Sequence, residues 1–231
     1  MNKTYAVADI HGQYNLWQGI KDFLDENDRC YVLGDCIDRG PDGYKILKEV
    51  LEDKRFSFLM GNHEEMMLTY FKRLRPFDKR LWFLNGGETT YNACYIDIDL
   101  HDILQALELA PKETKYKNII LTHAGYSPGV ESNMSDFLWD REHFYTAWYG
   151  EDDEVMVHGH TYGAYIAEEL KNLELFTGKK YPITSYSDVI FKYSDGHKIC
   201  IDGLSYENHQ IGILDLDTLE LAGVIKDELY N

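Results

Sequence analysis

Several short apolar runs in this chain lead into residues that can hold a cation or move a proton. TYAVADI (4–10) runs into Asp9 and His11, and CYVLGD (30–35) ends on Asp35, with Asp38 and Arg39 just beyond. FSFLMG (56–61) leads into Asn62 and His63, NIILTH (118–123) ends on His123, and VMVHGH (155–160) ends on His160. Carboxylate oxygen is a hard ligand and imidazole nitrogen a borderline one, so Asp, Asn and His together suit first-row divalent ions. A carboxylate can also bridge two cations, and a pair ~3.5–4 Å apart polarises a phosphoryl oxygen and deprotonates a bridging water. Asp9 and His11, two residues apart, are expected to share one face of a strand. A lone D-x-H pair is common; the pair gains meaning from the other strand ends.

The elements that must position these residues read as an α/β pattern. Short β-rich runs alternate with amphipathic stretches, and in open α/β sheets ligands bind outside the carboxyl ends of the strands. Leu16, Ile20, Phe23 and Leu24 fall on one helix face, and Ile46, Leu47, Val50 and Leu51 do so after Pro41-Asp42-Gly43. A third helix is expected to start at Asn62 or His63, with Glu64 and Glu65 in its first turn. Two more are expected over Leu100–Leu109 and Ser135–Tyr149. Beyond residue 185, SDVIFKY, HKICIDG and QIGILDLD read as consecutive strands, either a second sheet or an antiparallel continuation of the first. No repeat or linker divides the chain, so one domain over 1–231 is the expectation.

The motifs are more specific than the pattern. Asp9-Ile10-His11-Gly12 is followed by Gly34-Asp35-Cys36-Ile37-Asp38-Arg39-Gly40, Gly61-Asn62-His63-Glu64, His123-Ala124-Gly125 and Gly159-His160-Thr161. In this order, with Asn85-Gly86-Gly87-Glu88 and Leu138-Trp139-Asp140-Arg141-Glu142, the chain resembles the phosphoprotein phosphatase branch of the calcineurin-like metallophosphoesterases. The resemblance runs from Asp9 to about Leu216. It implies a layered α-β-β-α sandwich with mixed sheets flanked by helices. It also implies a first metal on Asp9 and His11, a second on Asn62, His123 and His160, and Asp35 bridging the two. Mn²⁺ is the expected ion, and Fe or Zn fits the same ligands.

The same resemblance makes His63 the general acid and Asp38 its partner, with Arg39 and Arg141 as phosphate clamps beside Asn62. The physical case for the acid stands independently: an alkoxide leaves poorly, and a carboxylate partner favours the imidazolium that protonates it. A guanidinium fork matches two non-bridging oxygens, although Arg141 could equally be a surface partner of Asp140 or Glu142. The departures are Ala8 before the first Asp, Ala124 in H-A-G, an Ile201-Asp202-Gly203 without an intervening residue, and a segment 163–198 expected to be a lengthened rim. Tyr162 stands where many phosphodiesterases and nucleases carry a further histidine, which favours the phosphomonoesterase type.

The implied activity is attack on phosphorus by a metal-bridging hydroxide. A serine/threonine phosphoprotein phosphatase is the first expectation, with a symmetric bis(5'-nucleosyl)-tetraphosphatase as alternative and a catalytically silent metal-binding module third. The partner is therefore a phosphorylated protein or a small phosphorylated substrate. A formal charge of −17 opposes binding to a nucleic-acid duplex, although Lys72, Arg73, Arg75, Lys79 and Arg80 form a local basic cluster. No apolar stretch reaches the ~20 residues of a membrane span, and Asp9 and His11 interrupt any leader-like run, so a cytoplasmic protein is expected. Cys30, Cys36, Cys94 and Cys200 lack zinc or disulfide spacing and read as reduced, buried thiols. His101, His143, His197 and His209 read as surface or packing residues, and His158 as a neighbour of the site.

Overall fold

The computed structural model describes residues 2–125 and 136–230. The chain opens with two β-α-β units: β1 (Thr4–Val7), α1 (Tyr14–Phe23), β2 (Arg29–Val32), α2 (Gly43–Glu52) and β3 (Phe56–Phe58). These strands pair in parallel, β1 on β2 and β2 on β3. Helices α3 (Asn62–Arg73), α4 (Pro76–Leu84), α5 (Glu88–Cys94) and α6 (Leu100–Leu109) follow. A second sheet then begins with β4 (Glu113–Tyr116), β5 (Ile119–Thr122) and β6 (Val155–His158). Helix α7 (Gly163–Thr177), β7 (Ile183–Tyr186), β8 (Phe191–Tyr193), β9 (Lys198–Cys200), α8 (Ser205–Asn208), β10 (Gln210–Asp215) and β11 (Glu220–Lys226) complete the order.

One sheet runs β11-β10-β1-β2-β3 and the other β4-β5-β6-β9-β8-β7. Both readings of the late strands therefore apply. β7, β8 and β9 extend the second sheet, whereas β10 returns to the first and pairs antiparallel with β1, Tyr5 opposite Asp215. Ala6, Leu33 and Leu59 of one sheet meet Leu121, Val157 and Ile199 of the other in a shared apolar layer. Trp17, Ile20, Ile46, Leu47 and Met67 cover the first sheet's outer face, and Ile166, Leu170 and Phe144 cover the second's. The order of layers is helix, sheet, sheet, helix.

The helices expected at 16–24, 46–51, from Asn62, and over Leu100–Leu109 are all present. The expected helix Ser135–Tyr149 is not: Ser135 lies outside the described residues, and the remainder holds 3-10 turns at Asp136–Leu138 and Glu142–Tyr145. Its polar groups are committed elsewhere. The Asp140 carboxylate takes the Glu142 N–H at 3.0 Å, and Lys198 Nζ donates to the Thr146 carbonyl at 2.9 Å and to the His143 carbonyl at 2.6 Å, which the Thr146 N–H reaches only as a 3-10 bond at 3.4 Å. Such local competition is what keeps a segment out of a helix. Segment 163–198 contains α7 and the β7–β8 hairpin. It begins beside the strand ends, where the Gly163 N–H donates to Asp202 O at 3.3 Å; α7 then packs on the outer face of the second sheet and the hairpin extends that sheet's edge.

Candidate metal centre and active site

Parallel strands of both sheets point their carboxyl ends at one place. Asp9 follows β1, Asp35 follows β2, Asn62 follows β3, His123 follows β5, His160 follows β6 and Asp202 follows β9. The loops continue the pairing of the strands: His11 N–H donates to Asp35 O at 2.9 Å, Gly12 N–H to Cys36 O at 2.9 Å, and Gly159 N–H to His123 O at 2.7 Å.

Asp9 and His11 do not share a strand face, because β1 stops at Val7. Both are left-handed, with φ of 54° and 47°, as are Asp35 (55°), Asp38 (69°), Arg39 (64°) and His160 (65°). Non-glycine residues enter this region at a cost, and clusters of them mark sites where the fold imposes a geometry. Here the backbone turns sharply within two to seven residues of the strand ends, and of these six side chains only that of Arg39 is left exposed.

The carboxylate of Asp35 is the hub. Its Oδ2 lies 3.6 Å from His11 Nε2 and 3.8 Å from His63 Nε2, and its Oδ1 lies 3.5 Å from His123 Nε2. His11 Nδ1 faces Ile37 O at 2.9 Å and His123 Nδ1 faces Leu33 O at 2.7 Å. A carbonyl only accepts, so in both rings Nδ1 carries the proton and Nε2 turns its lone pair inward. Asn62 Oδ1 lies 2.8 Å from His123 Nε2 and 3.0 Å from His160 Nδ1, and His160 Nε2 is buried with no hydrogen-bond partner among the described residues. Two groups result that share Asp35: His11, Asp35 and His63, and Asp35, His123 and His160. Asp9 belongs to neither, because its carboxylate accepts the His160 N–H at 3.0 Å.

These donor sets fit cations. Bonds of ~2.0–2.2 Å put neighbouring ligand atoms roughly 3–3.5 Å apart, close to the spacings around Asp35 and Asn62. Burial adds pressure in the same direction, since Asp9, Asp35, Asp38, Glu64 and Asp202 are all buried within this region. Burial and the neighbouring acids push the Asp9 carboxyl well up, and burial pushes Asp202 up to about 6. Burial also opposes ionisation of Asp35, yet His123, His63 and His11 around it outweigh that and hold it well below the usual range. Desolvation lowers His11, His123 and His160, leaving neutral rings of the kind that ligate metal.

His63 is treated differently. Burial works against its charge, but Asp35 and its hydrogen-bonded partner Asp38 raise its pKa above the ordinary imidazole value. Its Nδ1 lies 2.7 Å from Asp38 Oδ2, an oxygen that also accepts Trp82 Nε1–H at 2.8 Å, while the Asp38 N–H donates to Thr90 Oγ1 at 2.9 Å. The ring is thereby fixed with Nε2 toward Asp35 and 3.5 Å from Arg39 Nη2. Arg39 is exposed and lies over the Tyr206 ring at 4.4 Å, whose edge meets His11. Arg141 is also exposed, its Nε donating to Thr161 Oγ1 at 3.1 Å, one residue past His160. One guanidinium thus stands beside His63 and the other beside the loop that carries His160.

Sequence reasoning missed several supports. Glu64, read only as a first-turn acid, is fully buried and accepts N–H groups from Asp35 (2.9 Å), Cys36 (2.8 Å), Ile37 (3.3 Å) and Gly61 (3.2 Å). It ties the start of α3 to the loop carrying Asp35; its position three residues after the Gly61 cap was the available signal. Burial pushes this carboxyl up, to about 8, against those donors. Trp82, Thr90 and Tyr206 carry no comparable local signal, whereas Asp202 lies in the Ile201-Asp202-Gly203 noted only as a departure. His158, expected on the site's side, faces the other way: it is fully buried, with Nε2 2.9 Å from Tyr193 Oη. Cys36 is buried, and burial pushes its thiol well up.

Two facing mixed sheets whose parallel strands end on one shared, histidine-ringed carboxylate define a metallophosphoesterase. The family model for calcineurin-like phosphoesterases matches residues 3–189, and the chain belongs to that family. Among curated relatives, a symmetrical bis(5'-nucleosyl)-tetraphosphatase of Wigglesworthia glossinidia brevipalpis is 34% identical over 58% of this chain and 48% of its own length. Serine/threonine-protein phosphatase 2 of Escherichia coli K12 is 26% identical over 77% of this chain and 84% of its own. The chain thus spans about half of the tetraphosphatase and most of the protein phosphatase. The fold matches a crystal structure of a candidate diadenosine tetraphosphatase with a TM-score of 0.64, 14% identity, and coverage of 97% and 93% of the two chains.

Proposed function

We propose that the chain hydrolyses phosphomonoesters with two divalent cations, as a serine/threonine-type phosphoprotein phosphatase. The observation that carries this reading is the Asp35 carboxylate, faced by His11 and His63 through one oxygen and by His123 through the other, beside a His63–Asp38 pair. His11 with Asp35 would hold one cation, Asp9 joining it by turning from the His160 N–H; Asp35, Asn62, His123 and His160 would hold the other. When bound, the pair supplies Lewis acidity toward the phosphoryl oxygen and the attacking water. Mn²⁺ is our choice, Fe and Zn being compatible with the same donors.

Arg39 and Arg141 bind the non-bridging oxygens, and the Asn62 amide adds a contact. His63, kept protonated by Asp38 and Asp35, gives its Nε2 proton to the departing oxygen. Among the described residues no helix is long and apolar enough to cross a membrane, and we place the protein in the cytoplasm.

A symmetric bis(5'-nucleosyl)-tetraphosphatase is the second reading, favoured by the 34% identity above. Against it, the basic cluster is largely engaged internally: Lys72 pairs with Glu108, Arg75 with Asp78, and Lys79 sits 3.7 Å over the Tyr91 ring. The deciding assay offers the Mn²⁺ enzyme a phosphothreonine peptide, diadenosine tetraphosphate and an aryl phosphate, with His63→Asn as control. Preference for the peptide supports the first reading, and preference for the dinucleotide installs the second. No turnover of any substrate with metal demonstrably bound refutes both.

A further inference from the structure

Arg141 sits on a segment with little regular structure of its own, between two short 3-10 turns, yet its guanidinium stands at a fixed place on the site's flank. What holds the segment is a buried polar brace behind it. The Asp140 carboxylate spans Arg141, taking the Glu142 N–H at 3.0 Å through one oxygen and facing His143 Nδ1 at 3.1 Å through the other. The His143 ring is fully buried, edge-on to Phe144 and to His158 with centroids 4.3 and 4.8 Å away. It also fills the space over Gly125, where a Cβ would come within 2.6 Å of the ring.

Lys198 closes the brace. It lies in β9, a strand between β6 and β8, and is fully buried, a place that lysine ordinarily avoids because desolvating an ammonium is costly. Its Nζ donates to the His143 carbonyl at 2.6 Å, the Thr146 carbonyl at 2.9 Å and Thr146 Oγ1 at 3.4 Å. Those acceptors are neutral oxygens on the far side of Arg141, and burial pulls the ammonium down to about 8. An apolar residue would fill a strand position more cheaply. The lysine instead adds a charged donor to two carbonyls at the end of the second 3-10 turn.

We infer that Lys198 and the Asp140–His143 pair are positioning residues, which fix the Arg141 segment so that its guanidinium meets the phosphoryl group. The inference rests on the clamp role of Arg141 given under Proposed function. It adds a dependence of phosphate binding on a side chain buried in the second sheet that touches neither substrate nor metal.

The test is a double-mutant cycle on the whole 231-residue chain, loaded with Mn²⁺, with Lys198→Met and Arg141→Ala made singly and together. Inorganic phosphate binding is measured by calorimetry, and KM and kcat for p-nitrophenyl phosphate are read alongside. Arg141→Ala should weaken phosphate roughly 10- to 100-fold, the worth of a charge-assisted contact. Lys198→Met should weaken it roughly 3- to 10-fold with KM rising more than kcat falls, and should add nothing in the Arg141→Ala background. An equal loss in both backgrounds, or none in either, overturns the brace. Should Lys198→Met lose its cooperative unfolding transition, Asp140→Asn is judged by the same criterion. If Arg141→Ala binds phosphate as the parent does, the clamp assignment itself falls and the brace with it; turnover by the parent enzyme keeps that outcome separate from failure of the hydrolase reading.

Discussion

His63 and His123 show how neighbours divide work between chemically identical side chains. Both are buried, but His123 donates an Nδ1–H hydrogen bond to a carbonyl and stays neutral, whereas His63 meets two carboxylates and gains charge. A neutral ring ligates; a charged one donates a proton. This predicts a leaving-group signature. His63→Gln should cut turnover of a phosphothreonine peptide by about 10²–10⁴, the usual worth of a placed general acid, and cut p-nitrophenyl phosphate turnover far less. Equal losses on both substrates would mean that His63 serves binding or folding instead. At this scale the sequence was highly legible, since every proposed ligand, acid and clamp lies inside a short motif. The partners that set each charge state were not: Trp82 and Thr90 reach Asp38 from 44 and 52 residues away, through tertiary packing that leaves no local pattern.

At the scale of elements, the strand ends set the chemistry and the left-handed turns after them aim it. Apolar runs revealed the strands because buried parallel strands read as continuous hydrophobic stretches. The turns were invisible, since Asp9, His11 and Asp35 look like ordinary residues until the fold forces φ positive. The helix expected at 135–149 failed for a related reason. Asp140 accepts the Glu142 N–H, and Lys198 donates to the His143 and Thr146 carbonyls, groups that a continuous helix would pair along its axis. The cost of misplacing a turn can be measured at two glycines of similar φ. Gly178 (71°) ends α7 with nothing within 4 Å of an added Cβ, so Gly178→Ala should cost only about 1 kcal/mol in backbone strain. At Gly34 (85°) the same methyl would lie 2.5 Å from Gly61 Cα and 2.9 Å from His123 Nδ1. Gly34→Ala should therefore cost roughly 3 kcal/mol or more by urea unfolding, and it should also weaken Mn²⁺ binding by displacing His123 and Asn62. Equal penalties at the two positions would show that the loops after β2 and β3 yield without disturbing the ligands.

At the scale of the molecule, the two sheets enclose a concentration of negative charge in a chain already at −17. Asp9, Asp35, Asp38, Glu64 and Asp202 are buried near the strand ends, and the nearby guanidinium groups of Arg39 and Arg141 stand at the exposed rim. Among these carboxyls Asp9, Glu64 and Asp202 are pushed upward, the mark of acids that burial and one another keep from ionising freely. Bound cations would relieve that repulsion in the folded state, and the unfolded chain has no assembled donor set to compete for them. Stability should therefore be linked to metal. At a hundredfold excess over Kd, one site adds about 2.7 kcal/mol, and a chain of this size gains roughly 2–4 °C in Tm per kcal/mol. Stripped of metal with EDTA and titrated with Mn²⁺, the protein should gain roughly 5–10 °C per filled site on that basis. In Asp35→Asn, which weakens the proposed shared ligand, most of the gain should vanish and the metal-free Tm should fall somewhat, because the surrounding histidines favour the ionised Asp35 in the folded state. A Tm unmoved by Mn²⁺, Fe²⁺ and Zn²⁺ alike would mean that the carboxylates are held by the fold alone, and would take the cation pair out of the proposed chemistry.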